Sequence, residues 1–303
     1  MRMTVALAVF IVFTRCGGSL AAEVYWTPAH WMAPPEPLAA PAACDLDDDG
    51  DYDIAVGGLE SVWWNVGGPE SPAWEYDEGG LEPPSDTWGA VAFGDADGDG
   101  DLDMVAGYYL DCSLRFARNV GTPQAFVWQY EPPPFPATPT MGAWPHLADF
   151  DADGDLDIMA THCGAGASYL ENVGTPAVPE WVMNGDLGWG IVPAGSLPSM
   201  VPGDLDGDGD LDLVGQSQDY GVQAWENVGT PQEFLYVENP SLLLGVTEPQ
   251  HGSKGVELLD IDADGDLDLF IAGWSWEGRY LYLNERFTAV EAASWGAIKA
   301  MHR

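Results

Sequence analysis

Asp45-Leu-Asp-Asp-Asp-Gly-Asp-Tyr-Asp53 decides how this chain is read, because its pattern, D-x-D-x-D-G-D-x-D, returns four more times without a mismatch. The other copies run Asp95–Asp103, Asp149–Asp157, Asp204–Asp212 and Asp260–Asp268, so the five starts lie 50, 54, 55 and 56 residues apart. Self-similarity at a near-constant period marks a repeat architecture, in which one supersecondary unit is copied along the chain.

The loop carries the chemistry of a hard divalent cation. Calcium takes about six to eight oxygen ligands, and acidic side chains at alternate positions converge when the chain curls around one point. Gly at the sixth position (Gly50, Gly100, Gly154, Gly209, Gly265) permits the sharp turn. Candidate metal ligands are Asp45, Asp47, Asp49, Asp51 and Asp53 in loop 1, and Asp95, Asp97, Asp99, Asp101 and Asp103 in loop 2. Loop 3 offers Asp149, Asp151, Asp153, Asp155 and Asp157, loop 4 Asp204, Asp206, Asp208, Asp210 and Asp212, and loop 5 Asp260, Asp262, Asp264, Asp266 and Asp268. The eighth position is apolar or aromatic each time (Tyr52, Leu102, Leu156, Leu211, Leu267) and anchors the loop exit in a core. Two carboxylates about 4 Å apart repel by ~1 kcal/mol in water and several times more at a partly buried site. Five within nine residues resist compaction unless a cation neutralises them. A solvated acidic turn is the plain alternative, and five perfect copies speak against it. Magnesium keeps its waters and seldom uses an all-protein cage, so calcium is expected, about one ion per loop.

An EF-hand opens the same way but needs a Glu at position 12 and flanking helices. Position 12 here is Val56, Ala106, Ala160, Gly215 or Ile271, and none ligates through its side chain. The apolar runs after the loops, such as Asp53-Ile-Ala-Val-Gly57, are strand-like and too short for helices. A second landmark follows the first four loops: Asn-Val-Gly at Asn65, Asn119, Asn172 and Asn227, with an aromatic nine residues on (Trp74, Trp128, Trp181, Tyr236). Asn-x-Gly is turn chemistry between strands. Each unit therefore reads as strand, acidic loop, strand, variable loop, strand, Asn-Val-Gly turn, aromatic strand, Pro-rich linker. Four antiparallel strands per repeat have the size and content of a propeller blade, so the expected fold is all-β, a β-propeller of four-stranded blades.

With these motifs the chain resembles the FG-GAP/VCBS repeat proteins, whose best-known members are the integrin α-chain propellers. The resemblance covers most of residues 40–287 and rests on the acidic loops and the Asn-x-Gly turns. It implies calcium held between the first two strands of each blade, by the side chains of the first, third, fifth and ninth residues and by the carbonyl of the seventh. The chain departs from it in number, with five loops where an integrin-type ring has seven blades. The fifth repeat reaches Asn284 without the following turn or aromatic strand, whereas Glu23-Val-Tyr-Trp26 resembles the missing strand. Trp26 lies 19 residues before Asp45, as Trp74 lies 21 before Asp95. Five blades closed by the N-terminal strand are expected. The alternatives are a fourth strand from residues 288–298, carrying Trp295, and an open ring.

Residues 1–22 read as a secretory signal: Arg2, an apolar stretch from Val5 to Phe13, and a small-residue zone at Ser19-Leu-Ala-Ala22. The expected domains are this signal, the propeller over 23–287 and a tail over 288–303, in a secreted protein with no membrane span. A lipidated Cys16 is the lesser alternative. Cys44, Cys112 and Cys163 would remain after cleavage, and one pair, Cys112 with Cys163, is the expected disulfide.

The chain holds 49 acidic and 9 basic residues, a formal charge of −40, which argues against nucleic acid and anionic membranes as partners. Its 46% hydrophobic residues argue against a disordered acidic chain. The face opposite the acidic loops carries the variable loops and linkers. Aromatics there (Tyr108, Tyr109, Trp88, Trp144, Trp189, Trp274, Trp276), with Gln216, Asp219 and Glu277, suit a glycan or protein ligand, although many Trp residues will pack between blades. Nucleophile elbows and zinc helices are missing from the sequence, and the His residues show no ligand spacing, His146 being assigned to a strand. A monomeric binding or adhesion module is therefore expected rather than an enzyme. The alternative is a carbohydrate-active enzyme built on a pair of carboxylates.

Overall fold

The acidic loop lies between two apolar segments too short for helices, and in the computed structural model it is the connection of a β-hairpin in every repeat. The structure describes residues 26–29, 33–34, 40–57, 61–68, 71–79, 81, 90–108, 113–123, 125–130, 135, 144–161, 167–175, 177–186, 199–217, 221–247, 253–273 and 279–284. All of them fall within one unit, Glu23–Arg286. The calls on 1–22, 288–303, Cys112 and Cys163 lie outside the described residues.

Five four-stranded antiparallel sheets form the blades of a β-propeller. Blade 1 is β2 (Pro41–Cys44), β3 (Asp53–Val56), β4 (Ser61–Asn65) and β5 (Trp74–Glu78). Blade 2 is β6 (Val91–Gly94), β7 (Asp103–Tyr108), β8 (Ser113–Asn119) and β9 (Trp128–Tyr130). Blade 3 is β10 (Trp144–Ala148), β11 (Asp157–Thr161), β12 (Ala167–Asn172) and β13 (Trp181–Asp186). Blade 4 is β14 (Ser199–Gly203), β15 (Asp212–Ser217), β16 (Gly221–Asn227) and β17 (Tyr236–Glu238). Blade 5 joins β18 (Ser253–Leu259), β19 (Asp268–Gly273) and β20 (Arg279–Asn284) to β1 (Trp26–Pro28) from the far end of the chain.

The register shows why β1 fits there. The aromatic that opens the fourth strand pairs with the asparagine that ends the third: Trp74 with Asn65, Trp128 with Asn119, Trp181 with Asn172, Tyr236 with Asn227. Trp26 pairs with Asn284 in the same way. Its ring is fully buried, its backbone N–H donates to Leu244 O at 2.8 Å, and its indole Nε1 donates to Leu242 O at 2.6 Å. The segment around a 3-10 turn at Pro240–Leu243 thus clasps the closing strand. Closure by the N-terminal strand, expected from the sequence, is what the structure shows.

Among the described residues, five large apolar clusters lie between adjacent blades, and a small sixth joins Ala90 and Trp144. Ala42, Leu46, Val62, Val91 and Met104 join blades 1 and 2, and Val105, Phe116, Ile158 and Leu170 join blades 2 and 3. Met159, Tyr169, Leu213 and Trp225 join blades 3 and 4. Trp26, Val214, Leu269 and Tyr282 join blades 4 and 5, and Ile54, Trp63, Phe270 and Leu281 return from blade 5 to blade 1. Because the last cluster meets the first blade, the ring is continuous and the flat faces of the sheets are covered.

Candidate metal centre

The five loops share one conformation, built from their own carboxylates. The first aspartate accepts from the sixth-position glycine: Gly50 N–H to Asp45 Oδ2 at 2.9 Å, Gly100 to Asp95 at 3.0 Å, Gly154 to Asp149 at 3.1 Å, Gly209 to Asp204 at 3.2 Å and Gly265 to Asp260 at 3.1 Å. The fifth aspartate caps the seventh N–H, as Asp49 Oδ1 does for Asp51 at 3.0 Å. Gly50, Gly100, Gly154, Gly209 and Gly265 sit at φ between +96° and +100°, so the expected turn glycine is required by backbone geometry. The fourth position is left-handed as well, at φ near +58° even where it is Asp48, Ala152 or Ala263.

The ninth aspartate ties the loop to the blade. It is buried in all five copies. Asp53 Oδ2 accepts from Leu46 N–H at 3.1 Å, closing the loop, and Asp53 Oδ1 accepts from Asn65 N–H at 2.8 Å, reaching the end of the third strand. Asp103, Asp157, Asp212 and Asp268 repeat both bonds, the second to Asn119, Asn172, Asn227 and Asn284 at 2.8–2.9 Å. Each turn asparagine in the first four blades continues the chain of bonds, as Asn65 Oδ1 does by accepting from Gly67 and Ala73 N–H at 3.2 and 3.0 Å. The glycine of the turn follows from the close approach of the strands: a Cβ on Gly121 would meet Ala125 O at 2.2 Å. Acidic loops and Asn-Val-Gly turns therefore share one face of the ring.

Carboxylate oxygens converge within 4.8 Å in every loop. Loops 1, 4 and 5 bring together the first, third and ninth positions (Asp45, Asp47, Asp53; Asp204, Asp206, Asp212; Asp260, Asp262, Asp268). Loops 2 and 3 bring together the first, third and fifth (Asp95, Asp97, Asp99; Asp149, Asp151, Asp153). The seventh position adds what the family pattern does not imply. Asp155 Oδ1 and Asp210 Oδ1 are buried and accept no hydrogen bond, and burial followed by the charges of Asp153 or Asp208 pushes these carboxyls up to about 6. Burial likewise raises Asp53, Asp103, Asp157 and Asp212 to about 7 and Asp268 to about 8, against the lowering effect of the backbone N–H groups they accept from. An all-oxygen, multiply anionic donor set with orphaned buried oxygens is what a hard cation satisfies, so the residues present fit such a group.

Some of what positions these loops escaped the sequence reading. The second position (Leu46, Ala96, Phe150, Leu205, Ile261) is nearly inaccessible and belongs to the cluster shared with the following blade. The eighth packs toward the preceding one: Tyr52 joins the cluster of blades 5 and 1, Leu102 that of blades 1 and 2, Leu211 that of 3 and 4, and Leu267 that of 4 and 5. Each loop is thus pinned between two neighbours. The signal was in the pattern, since the second position is apolar in every copy.

The ligand-face aromatics fare differently. Tyr109, Trp88, Trp189, Trp274, Trp276, Asp219 and Glu277 lie outside the described residues. Tyr108 is half-buried under the Arg115 guanidinium, 4.8 Å from its ring centroid. Trp144 and Gln216, expected to be available to a ligand, are buried, Trp144 against Ala40 and Ala90. Gln216 lies on an inner strand of its sheet, between Ser199 and Val222, and Trp144 opens a strand that packs on its neighbours, so both are packing residues. A different surface is open: a groove of about 710 Å³ between blades 1 and 2, lined by Asp47 of loop 1 and by Trp64, Phe126, Trp128 and Tyr130. Phe126 stacks on Trp128 at 5.3 Å and lies 6.4 Å from Trp64.

Fold and loops together define a five-bladed β-propeller with one acidic hairpin loop per blade. The chain is similar to FG-GAP-like repeats: the family model so described matches residues 45–106 and 204–271, taking in loops 1, 2, 4 and 5. Loop 3, outside those stretches, keeps the same hydrogen bonds. Among solved structures, the chain is similar to a lectin of Agrocybe aegerita, in a structure described as showing specific recognition of non-reducing terminal N-acetylglucosamine. Identity is 19% and the TM-score 0.35; the match covers 89% of this chain and 65%, less than two thirds, of the lectin chain. No curated protein sequence matches. No helix among the described residues is long and apolar enough to cross a membrane.

Proposed function

We propose that the protein is a secreted, calcium-binding β-propeller that acts as a monomeric extracellular binding module for a glycan or protein ligand, without catalytic activity of its own. The observation that carries the calcium reading is the convergence of carboxylates within 4.8 Å in all five blades. The orphaned, buried oxygens of Asp155 and Asp210 support it. When bound, calcium supplies positive charge at the centre of each loop. The chain's own part is to curl the loop around that point, and the ninth aspartate links it to the third strand, so that filling a loop stiffens its blade.

The ligand part rests on the groove between blades 1 and 2, where half-buried Trp64, Phe126 and Trp128, exposed Tyr130 and flanking Asp47 offer apolar faces beside a hydrogen-bond acceptor. That combination suits a sugar ring or an aromatic-accepting protein loop, and lies beside loop 1 rather than on the face expected from the sequence.

Two measurements test the proposal. Chelation should lower the melting temperature by roughly 20 degrees or more, because a cation bound only by the folded state at 100 times its Kd contributes about 2.7 kcal/mol per site and each kcal/mol shifts the melting point by ~2–4 °C. An unchanged melting curve would sink the calcium reading. For the ligand, tryptophan fluorescence against a glycan array should report binding that Trp128→Ala abolishes. Bond cleavage in the same incubation would instead establish an enzyme.

A further inference from the structure

The residue just before the asparagine that ends the third strand differs from blade to blade, and in blades 1 to 4 it stands near the third position of the acidic loop. In blade 2 it is Arg118, whose Nη1 contacts Asp97 Oδ2 in an ion pair. Asp97 is 5% exposed, and its other oxygen accepts from Asp99 N–H at 3.2 Å. Both oxygens of a would-be ligand are therefore engaged by the chain itself. In blade 3 the same place is taken by Glu171 and in blade 4 by Glu226, whose Oε2 atoms accept from Asn184 and Asn239 at 2.5 and 2.6 Å. The charges of Glu171 and Glu226 reach Asp151 and Asp206, helping to hold those carboxyls above their ordinary range after burial and the neighbouring loop aspartates. Blade 1 has Trp64, which lines a groove together with Asp47, and blade 5 has Leu283. Loops with one pattern thus sit in three environments: cationic in blade 2, neutral in blades 1 and 5, anionic in blades 3 and 4.

We propose that Arg118 is an internal counter-ion that makes loop 2 the weakest cation site of the five, the last to fill and the one whose blade depends least on the metal. The proposal rests on the calcium reading above. A guanidinium in contact with a ligand carboxylate both occupies the oxygen a cation needs and repels the cation, and at a partly buried site each unit-charge interaction at ~4 Å is several times stronger than in water. A tenfold or larger weakening of loop 2 relative to the others follows as the order of magnitude.

Calcium alone, titrated into the metal-free full chain and followed by calorimetry with native mass spectrometry, tests this. The wild type should take up four ions in a tight step and a fifth at least ~10-fold more weakly. Arg118→Gln should bring the fifth ion into the tight step, whereas Arg118→Lys, which keeps the charge, should leave the weak step in place. Asp97→Asn should remove the weak step and spare the other four. Five ions filling wild type with one affinity, or a weak step that Arg118→Gln leaves untouched, would overturn the assignment while leaving calcium binding intact. A chain that binds no calcium would overturn the calcium reading itself, and this inference with it. If Arg118→Gln does not fold, the wild-type step pattern and Asp97→Asn still decide the matter.

Discussion

Blades 1 to 4 are each made from one continuous stretch of chain, and blade 5 is made from both ends, yet the hydrogen bonds at its acidic loop are the same. Asp268 accepts from Ile261 and Asn284 N–H at 2.9 and 2.8 Å, as Asp53 accepts from Leu46 and Asn65 at 3.1 and 2.8 Å. The difference begins after the asparagine. Asn65 Oδ1 organises a turn into the next strand, whereas Asn284 Nδ2 donates to Leu267 O at 3.3 Å and the fourth strand arrives from residue 26. The loop with its ninth aspartate is therefore a self-sufficient unit, and the turn is an optional connection. What the turn does covalently in four blades, burial of Trp26 does in the fifth.

The largest expected effect breaks that substitute. Trp26→Ala removes a fully buried ring and the indole hydrogen bond to Leu242 O, and should cost about 3–5 kcal/mol in urea unfolding with calcium present. Trp74→Ala, at the matching but half-buried position of blade 1, should cost less. Equal costs would show that closure has no special dependence on Trp26.

The next contrast lies at the opposite edge of the blade, on its first strand. Three residues before the loop, blade 3 has His146 and blade 5 has Glu257, both buried. Burial lowers His146 to about 4 and raises Glu257 well above its ordinary value. For His146 the folded state disfavours the proton, so its contribution is whole above the unfolded value of about 6.5 and drains away as pH falls toward 4. By pH 4 this amounts to about 3 kcal/mol, and His146→Gln should flatten the acid limb of a pH–stability curve measured with calcium. Glu257 has the opposite sign: its contribution is present at low pH and is lost as pH rises through the raised folded value, so Glu257→Gln should favour the fold on the alkaline side. Parallel pH curves for each variant and wild type would contradict these environments.

A smaller effect separates the asparagines themselves. Asn65→Ala leaves Gly67 and Ala73 N–H without their acceptor and should cost about 2 kcal/mol. Asn284→Ala, which gives up a single 3.3 Å bond to Leu267 O, should cost about half that in the same unfolding assay. The smallest is local: Ala152→Gly relieves a left-handed residue at φ +59° in loop 3 and should change stability by under ~1 kcal/mol, in the stabilising direction.

Much of this was legible in the residues. The turn glycines, the Asn–aromatic spacing of nine and the matching distance from Trp26 to Asp45 are local or periodic quantities, so they survive as text, and they led to four-stranded blades and to the closing strand. The buried state of Trp144 and Gln216 was not legible, because a Trp or Gln in a strand reads the same whether its face meets solvent or the next blade. Nor was the groove between blades 1 and 2, whose walls come from Asp47 and Trp64 on one side and Phe126 and Trp128 on the other.

By itself, then, the sequence determined the repeat, the hairpin loop with its convergent acids, and the number of blades, since each follows from backbone geometry within about fifty residues. Only the tertiary structure decided that the ninth aspartate ties loop to third strand, that the second and eighth loop residues grip opposite neighbours, and that Arg118 rather than a glutamate faces loop 2. Those facts depend on which side chains the blade register brings within hydrogen-bonding or van der Waals reach, and such short-range interactions leave no period in the sequence to read.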